Sequence, residues 1–532
     1  MTSPVRVSRG QGPLGEGDIP RHVDLAPAEV GRSLRVLLVA EGTYPYHPGG
    51  VSLWCDQIIR GMPENSFTVV SLTVDGTEPQ VWPSPDNLTR VVNLPMWAAP
   101  SQGADRQRPP PSVVEAHENF LRTLLRPPQQ DPHYDRDIAE SFLFMARTLF
   151  DYAKTGDVRS VFVSNDALDR LTRAWREADG DGQADAAGRG ATLTLYDAFT
   201  AADLMEHALR PLSRPPIDAD VCHLAMCGSS VLVGLTSKWA YGTPLVMSEH
   251  GVYLRERYME ILREPQPSAG QLLMLRFCRA MTVAAYRAVD VLAPHSQYNR
   301  RWQLYGGADP ARIRTMYNGI DPADYPVAEA EPDVPTMVFV GRIDPLKDLH
   351  TLIRAFALVR REVPEARLRI FGPVPRENKN YHASCLALVE ELGLSGAAVF
   401  EGRVPRQADA YQAGHLTALT SVSEGFPYTV VESMSMGRPQ VCTNVGGVSE
   451  AVGDAGILVP PGDQAAVAQA CVRLLRDAGL RRRLGTAARE RVLEKFTLSQ
   501  WNDGYRKMYD DLVLSPHSGP RRVAGRERAA IP

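Results

Sequence analysis

The sequence lacks three features that would assign it to other classes of protein. It has no uninterrupted apolar run long enough to span a bilayer. It has no basic excess, since 58 lysines and arginines face 62 aspartates and glutamates, and the net charge of −4 does not favour nucleic acid or an anionic membrane. Its first residues include arginines but no apolar core of a signal peptide. We therefore expect a cytoplasmic protein without a nucleic-acid partner.

Cysteine is also scarce. The seven cysteines are an odd number and are scattered along the chain. Cys222 and Cys227 lie closest together, and only His223 accompanies them as a further ligand type, which is not the spacing of a metal site. We predict reduced thiols, most of them in the core.

The sequence does contain enough apolar residues to form the cores of two domains. Its 532 residues are 44% hydrophobic and 23% charged, which is ordinary for a globular protein. The most informative stretch is SVSEGFPYTVVESMSMGRP at 421–439. An apolar run at 416–420 predicts a buried strand before it, and 429–436 predicts a helix after a glycine-containing loop. Strand, loop and helix start together predict an anion site of backbone N–H groups.

Two carboxylates accompany this anion site, Glu424 in the loop and Glu432 about one turn into the helix. A carboxylate accepts hydrogen bonds from two neighbouring hydroxyls, such as those of a ribose or a hexose. Phosphate on the amides and sugar on the carboxylates would be a nucleotide-sugar. Taken alone, however, two glutamates at this spacing are more often solvent-exposed residues of no special function.

The first half of the chain has the same strand, loop and helix order. A strand at 34–40, the loop EGTYPYHPGG and a helix at 51–60 predict the first unit of a doubly wound sheet. Gly49 and Gly50 allow close approach of a ligand or merely form a turn. His250 follows a predicted strand at 244–248, where parallel sheets bind ligands, although a lone histidine is often structural.

The second half restarts this pattern with a strand at 336–340 and the loop GRIDPLK. Arg342 and Lys347 share that loop and could neutralise a departing diphosphate, although cations on loops are usually just solvated. Three Asp-x-Asp triplets occur, beginning at Asp135, Asp179 and Asp218, but none follows a strand as a metal-dependent sugar transferase would require. We expect no metal and no other cofactor.

The combination resembles the family 4 retaining glycosyltransferases of the GT-B fold. The matching segments, in family order, are Gly49–Gly50, His250, YNGID at 317–321, GRIDPLK at 341–347, the pair Glu424 and Glu432, and GGVSE at 446–450. The resemblance implies an α/β protein with two doubly wound, Rossmann-like domains facing across a cleft. EGTYPYHPGGVSLW, SEHGVYLRER and DPLKDLHTLIRAF more narrowly resemble the cytosolic glycosyltransferase of Pel-type exopolysaccharide synthesis.

The resemblance also implies roles for single residues. His250 and Glu424 would be catalytic, with His250 beside the anomeric centre and Glu424 on the transferred sugar. The residues expected to bind the donor are Arg342 and Lys347 at the diphosphate, Glu432 at the ribose, and Gly425, Phe426, Pro427, Gly49 and Gly50. The family transfers sugars without a metal and retains the anomeric configuration. Asp348 stands where many members have glycine.

These patterns predict the domain boundaries. We expect disordered tails at 1–33 and 516–532, an acceptor-side domain at 34–310 and a nucleotide-sugar domain at 311–496. A largely helical insertion is expected at about 97–215, with a possible strand at 158–164. The stretch 497–515 is predicted to form a helix that returns to the first domain, because Trp501, Tyr505, Met508 and Leu512 recur at helical spacing.

The predicted function is transfer of a sugar from a nucleoside-diphosphate sugar, expected to be UDP-hexose, to a glycan or other acceptor in exopolysaccharide synthesis. A membrane polysaccharide-synthase complex is a candidate partner. Two alternatives stay open. One is a non-catalytic subunit with this fold. The other is a glycoside hydrolase that uses Glu424 and Glu432 as its two carboxylates, which leaves Arg342 and Lys347 without a purpose.

Overall fold

The computed structural model describes residues 33–97, 108–126, 133–179, 192–261 and 267–514. These form two six-stranded sheets in which every strand pair is parallel. The prediction of two doubly wound α/β units is confirmed. The predicted tails lie outside the described residues, apart from Ser33.

The first sheet has the strand order 3-2-1-4-5-6. Its strands are β1 Arg35–Glu41, β2 Ser66–Thr73, β3 Leu88–Pro95, β4 Val221–Leu224, β5 Leu245–Glu249 and β6 Val291–Pro294. The second sheet has the order 12-11-10-7-8-9. Its strands are β7 Thr336–Val340, β8 Arg367–Phe371, β9 Ala398–Gly402, β10 Leu416–Leu419, β11 Gln440–Thr443 and β12 Ile457–Val459. The two sheets lie within the predicted segments 34–310 and 311–496.

Eighteen α-helices surround the sheets in the described part of the chain. Those up to the end of the first sheet are α1 Gly50–Gly61, α2 Pro111–Leu125, α3 Tyr134–Tyr152, α4 Arg159–Val163, α5 Asn165–Asp179, α6 Leu195–Leu209, α7 Ser230–Tyr241, α8 Tyr253–Ile261 and α9 Ala269–Ala288. The remainder are α10 Gln297–Tyr305, α11 Leu349–Glu362, α12 Lys379–Glu391, α13 Gln407–Gln412, α14 Tyr428–Ser435, α15 Val448–Val452, α16 Gln464–Arg476, α17 Ala478–Lys495 and α18 Leu498–Leu514. In none of the described helices is there a stretch with the length and hydropathy of a membrane span.

Helices α2 to α6 lie between β3 and β4, where the insertion was expected. They share one hydrophobic core with α9 and one face of the first sheet. Phe120, Phe142 and Phe277 pack there with ring centroids 5.8–6.3 Å apart. The possible strand at 158–164 is wrong, because this segment forms the short helix α4. Its apolar side chains contact that core from a helical turn rather than from a sheet.

All seven cysteines are buried and unpaired, as predicted. None of their sulfur atoms takes part in a disulfide, and they are distributed over both domains. Burial raises the pKa of the Cys385 thiol to about 11, so this thiol stays protonated at neutral pH. The described cysteines therefore behave as small core residues.

The final helix, α18, packs against the first sheet. Trp501, Tyr505, Met508 and Tyr509 are buried in a core shared with β1 and α1. The Tyr509 hydroxyl lies 2.6 Å from His223 Nδ1, and His223 Nε2 lies 2.8 Å from Ser248 Oγ. Burial lowers the pKa of His223 to about 3, so the imidazole is neutral and bonded on both sides. The C-terminal helix is thus tied to β4 and β5 by a buried polar chain.

We predict that Tyr509→Phe lowers the free energy of unfolding by about 1–3 kcal/mol, because it leaves a buried ring nitrogen of His223 without a partner. Chemical denaturation followed by tryptophan fluorescence measures the change. Tyr196→Phe is the matched control, since the Tyr196 side chain of α6 is 78% exposed and should lose less than about 0.5 kcal/mol. Equal stability of both variants would contradict the role of this hydrogen bond.

Candidate active site

The site begins at the carboxyl ends of β7 and β10, which are neighbours in the second sheet. From these two strands the chain proceeds in opposite directions along the sheet, which makes this the topological switch point where open parallel sheets bind ligands. Lys347 follows β7 and Glu424 follows β10. Lys347 Nζ lies 2.6 Å from Glu424 Oε1, and Ser421 Oγ donates to the same oxygen at 2.5 Å. The structure therefore brings these two predicted residues into direct contact.

Arg342 shares the loop with Lys347 but reaches outward. Its side chain is 61% exposed, and its nearest acidic partner is Asp344, at 3.8 Å. The backbone of Asp348 has φ 45° and ψ 56°, in the left-handed region that favours glycine. Its side chain accepts a hydrogen bond from Thr351 N and so caps α11. This cap accounts for an aspartate at a position where many members of the resembling family have glycine.

The loop of Gly425, Phe426 and Pro427 belongs to the second domain and contacts the first. A Cβ atom on Gly425 would lie 2.1 Å from the His250 carbonyl oxygen, so only glycine fits there. Asn318 Nδ2 donates to the Phe426 carbonyl at 3.0 Å, and Pro427 immediately precedes α14. The predicted donor loop and the predicted catalytic histidine therefore lie in backbone contact.

His250 stands at the end of β5, between two other rings. The ring centroids of Trp54 and His295 lie 5.1 Å and 4.1 Å from that of His250. Its Nε2 is buried and has no hydrogen-bond partner. Burial, assisted by the nearby His295 and His223, lowers the pKa of His250 well below its ordinary value. The imidazole is therefore neutral, and its buried Nε2 has no partner within the protein.

Gly49 and Gly50 lie at the start of α1, across the cleft from α14. A Cβ on Gly50 would lie 3.8 Å from the ring of Tyr428, the first residue of α14. The Tyr428 hydroxyl donates to Gln57 Oε1 of α1 at 3.1 Å. Both glycines thus lie where the two domains meet, on the side of the cleft opposite Tyr428.

Glu432 differs from the expectation of a ribose ligand facing the cleft. Its side chain lies inside the second domain, only 1% of the residue is exposed, and Tyr411 Oη donates to its Oε2 at 2.5 Å. Burial raises the pKa of Glu432 to about 7, opposed by hydrogen bonds from Tyr411 and Tyr325. The carboxyl is buried behind the surface that a donor would reach, so binding of ribose by Glu432 stays a prediction.

Two residues of the cleft were not singled out from the sequence. Arg255 of α8 donates from Nη1 to Ser423 Oγ at 2.8 Å, across the domain boundary and next to Glu424. Glu249 precedes His250, and its buried carboxyl accepts hydrogen bonds from Tyr286 and Gln303, each at 2.9 Å. Burial raises the pKa of Glu249 to about 7. Both lie in or beside SEHGVYLRER, so their position near His250 was the available signal.

The Asp-x-Asp triplets do not form a metal site in the described residues. Asp218 and Asp220 both accept hydrogen bonds from Arg35, and Asp135 is paired with Arg279 at 2.7 Å. The triplet that starts at Asp179 continues outside the described residues.

Asp203, Glu206 and His207 in α6 also place ligand atoms within 4.8 Å of one another. Two arginines already neutralise this cluster, since Arg159 and Arg210 each lie 3.1 Å from Glu206. The cluster is therefore a network of ion pairs within the insertion.

Comparisons with known proteins assign the two halves of the chain. Residues 34–311 match a family described as a domain of unknown function (DUF3492), and residues 334–477 match the family described as glycosyl transferases group 1. D-inositol 3-phosphate glycosyltransferase of Acidothermus cellulolyticus is 31% identical over 352 residues, which are 63% of this chain and 74% of that protein. The chain belongs to the DUF3492 family and to the group 1 glycosyl transferases.

Other relatives of this chain are matched over shorter stretches. N-acetyl-alpha-D-glucosaminyl L-malate synthase of Bacillus anthracis is 29% identical over 221 residues, or 39% of this chain. The chain spans 56–57% of the length of this enzyme and of the D-inositol 3-phosphate glycosyltransferase of Nocardia farcinica.

Solved structures share the fold of this chain. Sucrose-phosphate synthase of Thermosynechococcus elongatus has a TM-score of 0.59 at 17% identity, over 90% of this chain and 99% of that one. Anabaena HepE, in complex with UDP and glucose, has a TM-score of 0.57 at 15% identity, over 90% of this chain and 99% of that one. Both align along the two sheets together, and the fold is the two-domain GT-B arrangement.

We predict a specific pH dependence from Glu432. Its pKa in the folded protein, about 7, lies above the ordinary value of 4.5, so the folded protein binds more protons than the unfolded chain between these values. The stability contributed by the neutral carboxyl is present below about pH 4.5 and is lost as pH rises through 7. The stability of Glu432→Gln relative to wild type should therefore increase across this window.

Urea denaturation of both proteins at a series of pH values measures this difference. Gln keeps an oxygen that accepts the Tyr411 hydrogen bond, so the substitution removes mainly the ionisation. Glu365→Gln, at an exposed position between α11 and β8, is the control for the same substitution at the surface and should change stability by less than about 0.5 kcal/mol. A pH-independent difference for Glu432→Gln would contradict the raised pKa.

Proposed function

We propose that this glycosyltransferase moves a hexosyl group from UDP-hexose to a glycan or other acceptor, with retention of the anomeric configuration. The observation that carries the proposal is the contact of Lys347 with Glu424 at the switch point of the second sheet, beside a loop that touches His250. A cation, a carboxylate and a neutral imidazole at one end of two parallel sheets suit a substrate with an anionic half and a hydroxyl-bearing half.

The cationic loop after β7 would hold the leaving group. Lys347 and Arg342 place positive charge where the bond between the anomeric carbon and the diphosphate oxygen breaks and the oxygen keeps the electron pair. The first N–H groups of α14, an eight-residue helix, add donors and the positive end of a helix dipole. This arrangement favours release of a nucleoside diphosphate, and UDP is the nucleotide bound by HepE, which has the same fold.

The acceptor would react on the face of the sugar from which the diphosphate leaves. Its hydroxyl oxygen forms the new bond to the anomeric carbon, and its proton passes to the departing phosphate oxygen. Glu424 would bind hydroxyls of the transferred sugar, and neutral His250 would accept or donate one hydrogen bond at the reacting centre through its free ring nitrogen. In this proposal no step requires a metal ion.

The two alternative functions have less support. A glycoside hydrolase needs two carboxyl groups on either side of the scissile bond. Glu432 instead lies behind the loop with its carboxyl on Tyr411, and Glu424 is paired with Lys347. A non-catalytic subunit has no need for a lysine and a carboxylate held together next to a histidine whose Nε2 has no partner within the protein.

The wider role proposed is exopolysaccharide synthesis, with a membrane polysaccharide-synthase complex as candidate partner. It rests on the resemblance of EGTYPYHPGGVSLW and SEHGVYLRER to the Pel-type glycosyltransferase. In the structure these two segments surround the cleft: one forms the start of α1 with Gly49 and Gly50, and the other contains His250 and Arg255.

We predict that Lys347→Met abolishes most sugar transfer, whereas EDTA leaves it intact. Removing a charge where negative charge develops should lower the rate by about a hundredfold or more. The assay is release of free UDP from a panel of UDP-hexoses. Lys379→Met, at the exposed start of α12, is the matched control and should retain the wild-type rate. Loss of activity in EDTA that magnesium or manganese restores would refute the proposed metal-free mechanism.

The stereochemistry provides a separate prediction. With a UDP-α-hexose donor, the first product should carry an α-glycosidic bond. Proton NMR of that product, recorded before any further rearrangement, reads the anomeric coupling directly. A β-anomeric signal would exclude retention, while leaving the donor assignment in place.

A further inference from the structure

We infer that Glu450, in the GGVSE segment, is a positioning residue that fastens the two domains and holds His250 against the donor loop. This inference rests on the proposed function, because it assigns to Glu450 the assembly of the same site. We call the contact between Glu450 and the first turn of α10 the clasp.

The clasp joins the second domain to the first through two short hydrogen bonds. Glu450 Oε2 accepts from Gln297 N at 2.6 Å, and Oε1 accepts from Tyr298 N at 2.9 Å. These N–H groups belong to the first two residues of α10. N–H groups at this end of a helix have no acceptor within the helix itself. A carboxylate at this end of a helix also interacts favourably with the helix dipole. Both oxygens of Glu450 are thus used by the other domain.

Helix α10 passes this contact on to the catalytic histidine. Asn299 Nδ2 donates to the carbonyl oxygens of Glu249 at 3.2 Å and of His250 at 3.1 Å. The Asn299 amide has its acceptor within the same domain, since Ser296, the N-cap of α10, accepts from Asn299 N through Oγ at 3.1 Å. Glu450 of the second domain thus contacts α10 at Gln297 and Tyr298. The next residue of that helix, Asn299, holds the backbone of His250.

The donor loop is joined to the clasp from the other side. Tyr317 lies beside Glu450, and burial together with this neighbouring carboxylate raises the pKa of Tyr317 to about 12. The Tyr317 ring packs on that of Phe426, with centroids 5.1 Å apart. Gly447 N also donates to the Gly425 carbonyl at 2.9 Å. Tyr317, Phe426 and Glu450 come from three separate motifs and meet at this point.

The clasp defines the closed arrangement of the two domains. A Cβ on Gly425 would clash with the His250 carbonyl, so these two segments are in close contact when the clasp is formed. Separation of the domains pulls Glu450 away from Gln297 and Tyr298 and exposes a carboxylate and two N–H groups to water. When the domains come together, the hydrogen bonds of Glu450 form again. His250 and the donor loop then have the geometry that transfer requires.

Amide hydrogen exchange tests the clasp without any substrate. In the wild-type protein the amides of Gln297 and Tyr298 should be protected, because Glu450 is their acceptor. In Glu450→Ala their exchange should accelerate by about tenfold or more, as expected for loss of charge-assisted hydrogen bonds. The Asn299 amide, bonded to Ser296 within the first domain, should keep its protection. Glu365→Ala is the matched control and should change none of the three.

A second variant removes the partner on the first domain. Gln297→Pro deletes one donor N–H while keeping the helix, because proline suits the first helical position and Ser296 before it is already extended. It should accelerate exchange at Tyr298. If neither variant changes the exchange at Tyr298, or if Gln297 and Tyr298 exchange freely in the wild type, the clasp is overturned.

Kinetics separate the clasp from the proposed function. Glu450→Ala should lower kcat for UDP release about tenfold, corresponding to 1.4 kcal/mol, with UDP affinity measured by calorimetry changed by less than about twofold. An unchanged kcat alongside faster exchange would overturn the positioning role. Absence of transfer by the wild type from every donor, with the predicted exchange pattern, would instead overturn the proposed function and leave the clasp standing.

Discussion

The close approach of two backbone segments, at Gly425 and at the His250 carbonyl, determines the geometry of the whole cleft. A side chain on Gly425 would place its Cβ 2.1 Å from that oxygen, and one on Gly446 would place it 1.7 Å from the Glu424 carbonyl. Glycine at both positions lets three loops stack directly on one another. Because backbone atoms make these contacts, the loop that carries Glu424 and the segment that carries His250 lie close together.

Much of this could be predicted from the sequence. Parallel strands buried on both faces give continuous apolar runs, so β1, β5, β7 and β10 were found within one residue of their ends. The alternation of strands and helices then places Lys347 and Glu424 at one edge of a sheet, since parallel strands share the direction of their carboxyl ends. The structure explains the glycine that many members of the resembling family have at the position of Asp348, since the backbone there is left-handed.

The remainder depends on contacts that leave no local pattern. Glu450 and Gln297 are 153 residues apart, and nothing near either one marks it as the partner of the other. Tyr411 donates a hydrogen bond to the carboxyl of Glu432 because α13 packs beside α14. Helical periodicity does not reveal this packing. In 158–164 an apolar run was short enough to suit a strand or a helix, and packing inside the insertion decided for the helix.

The ion pair of Lys347 and Glu424 couples the binding of the two halves of the substrate, the diphosphate and the sugar. Their side chains are only 19% and 10% exposed, so separating them without replacement would leave a poorly solvated charge on each. In the proposed function the diphosphate replaces Glu424 as the partner of Lys347, with a larger negative charge and further donors from α14. Glu424 then loses its lysine at the moment the attached sugar arrives beside it, and its oxygens become acceptors for the sugar hydroxyls. An anion without a sugar frees the carboxylate but leaves it unpaired, so the complete donor satisfies this site better than either of its parts.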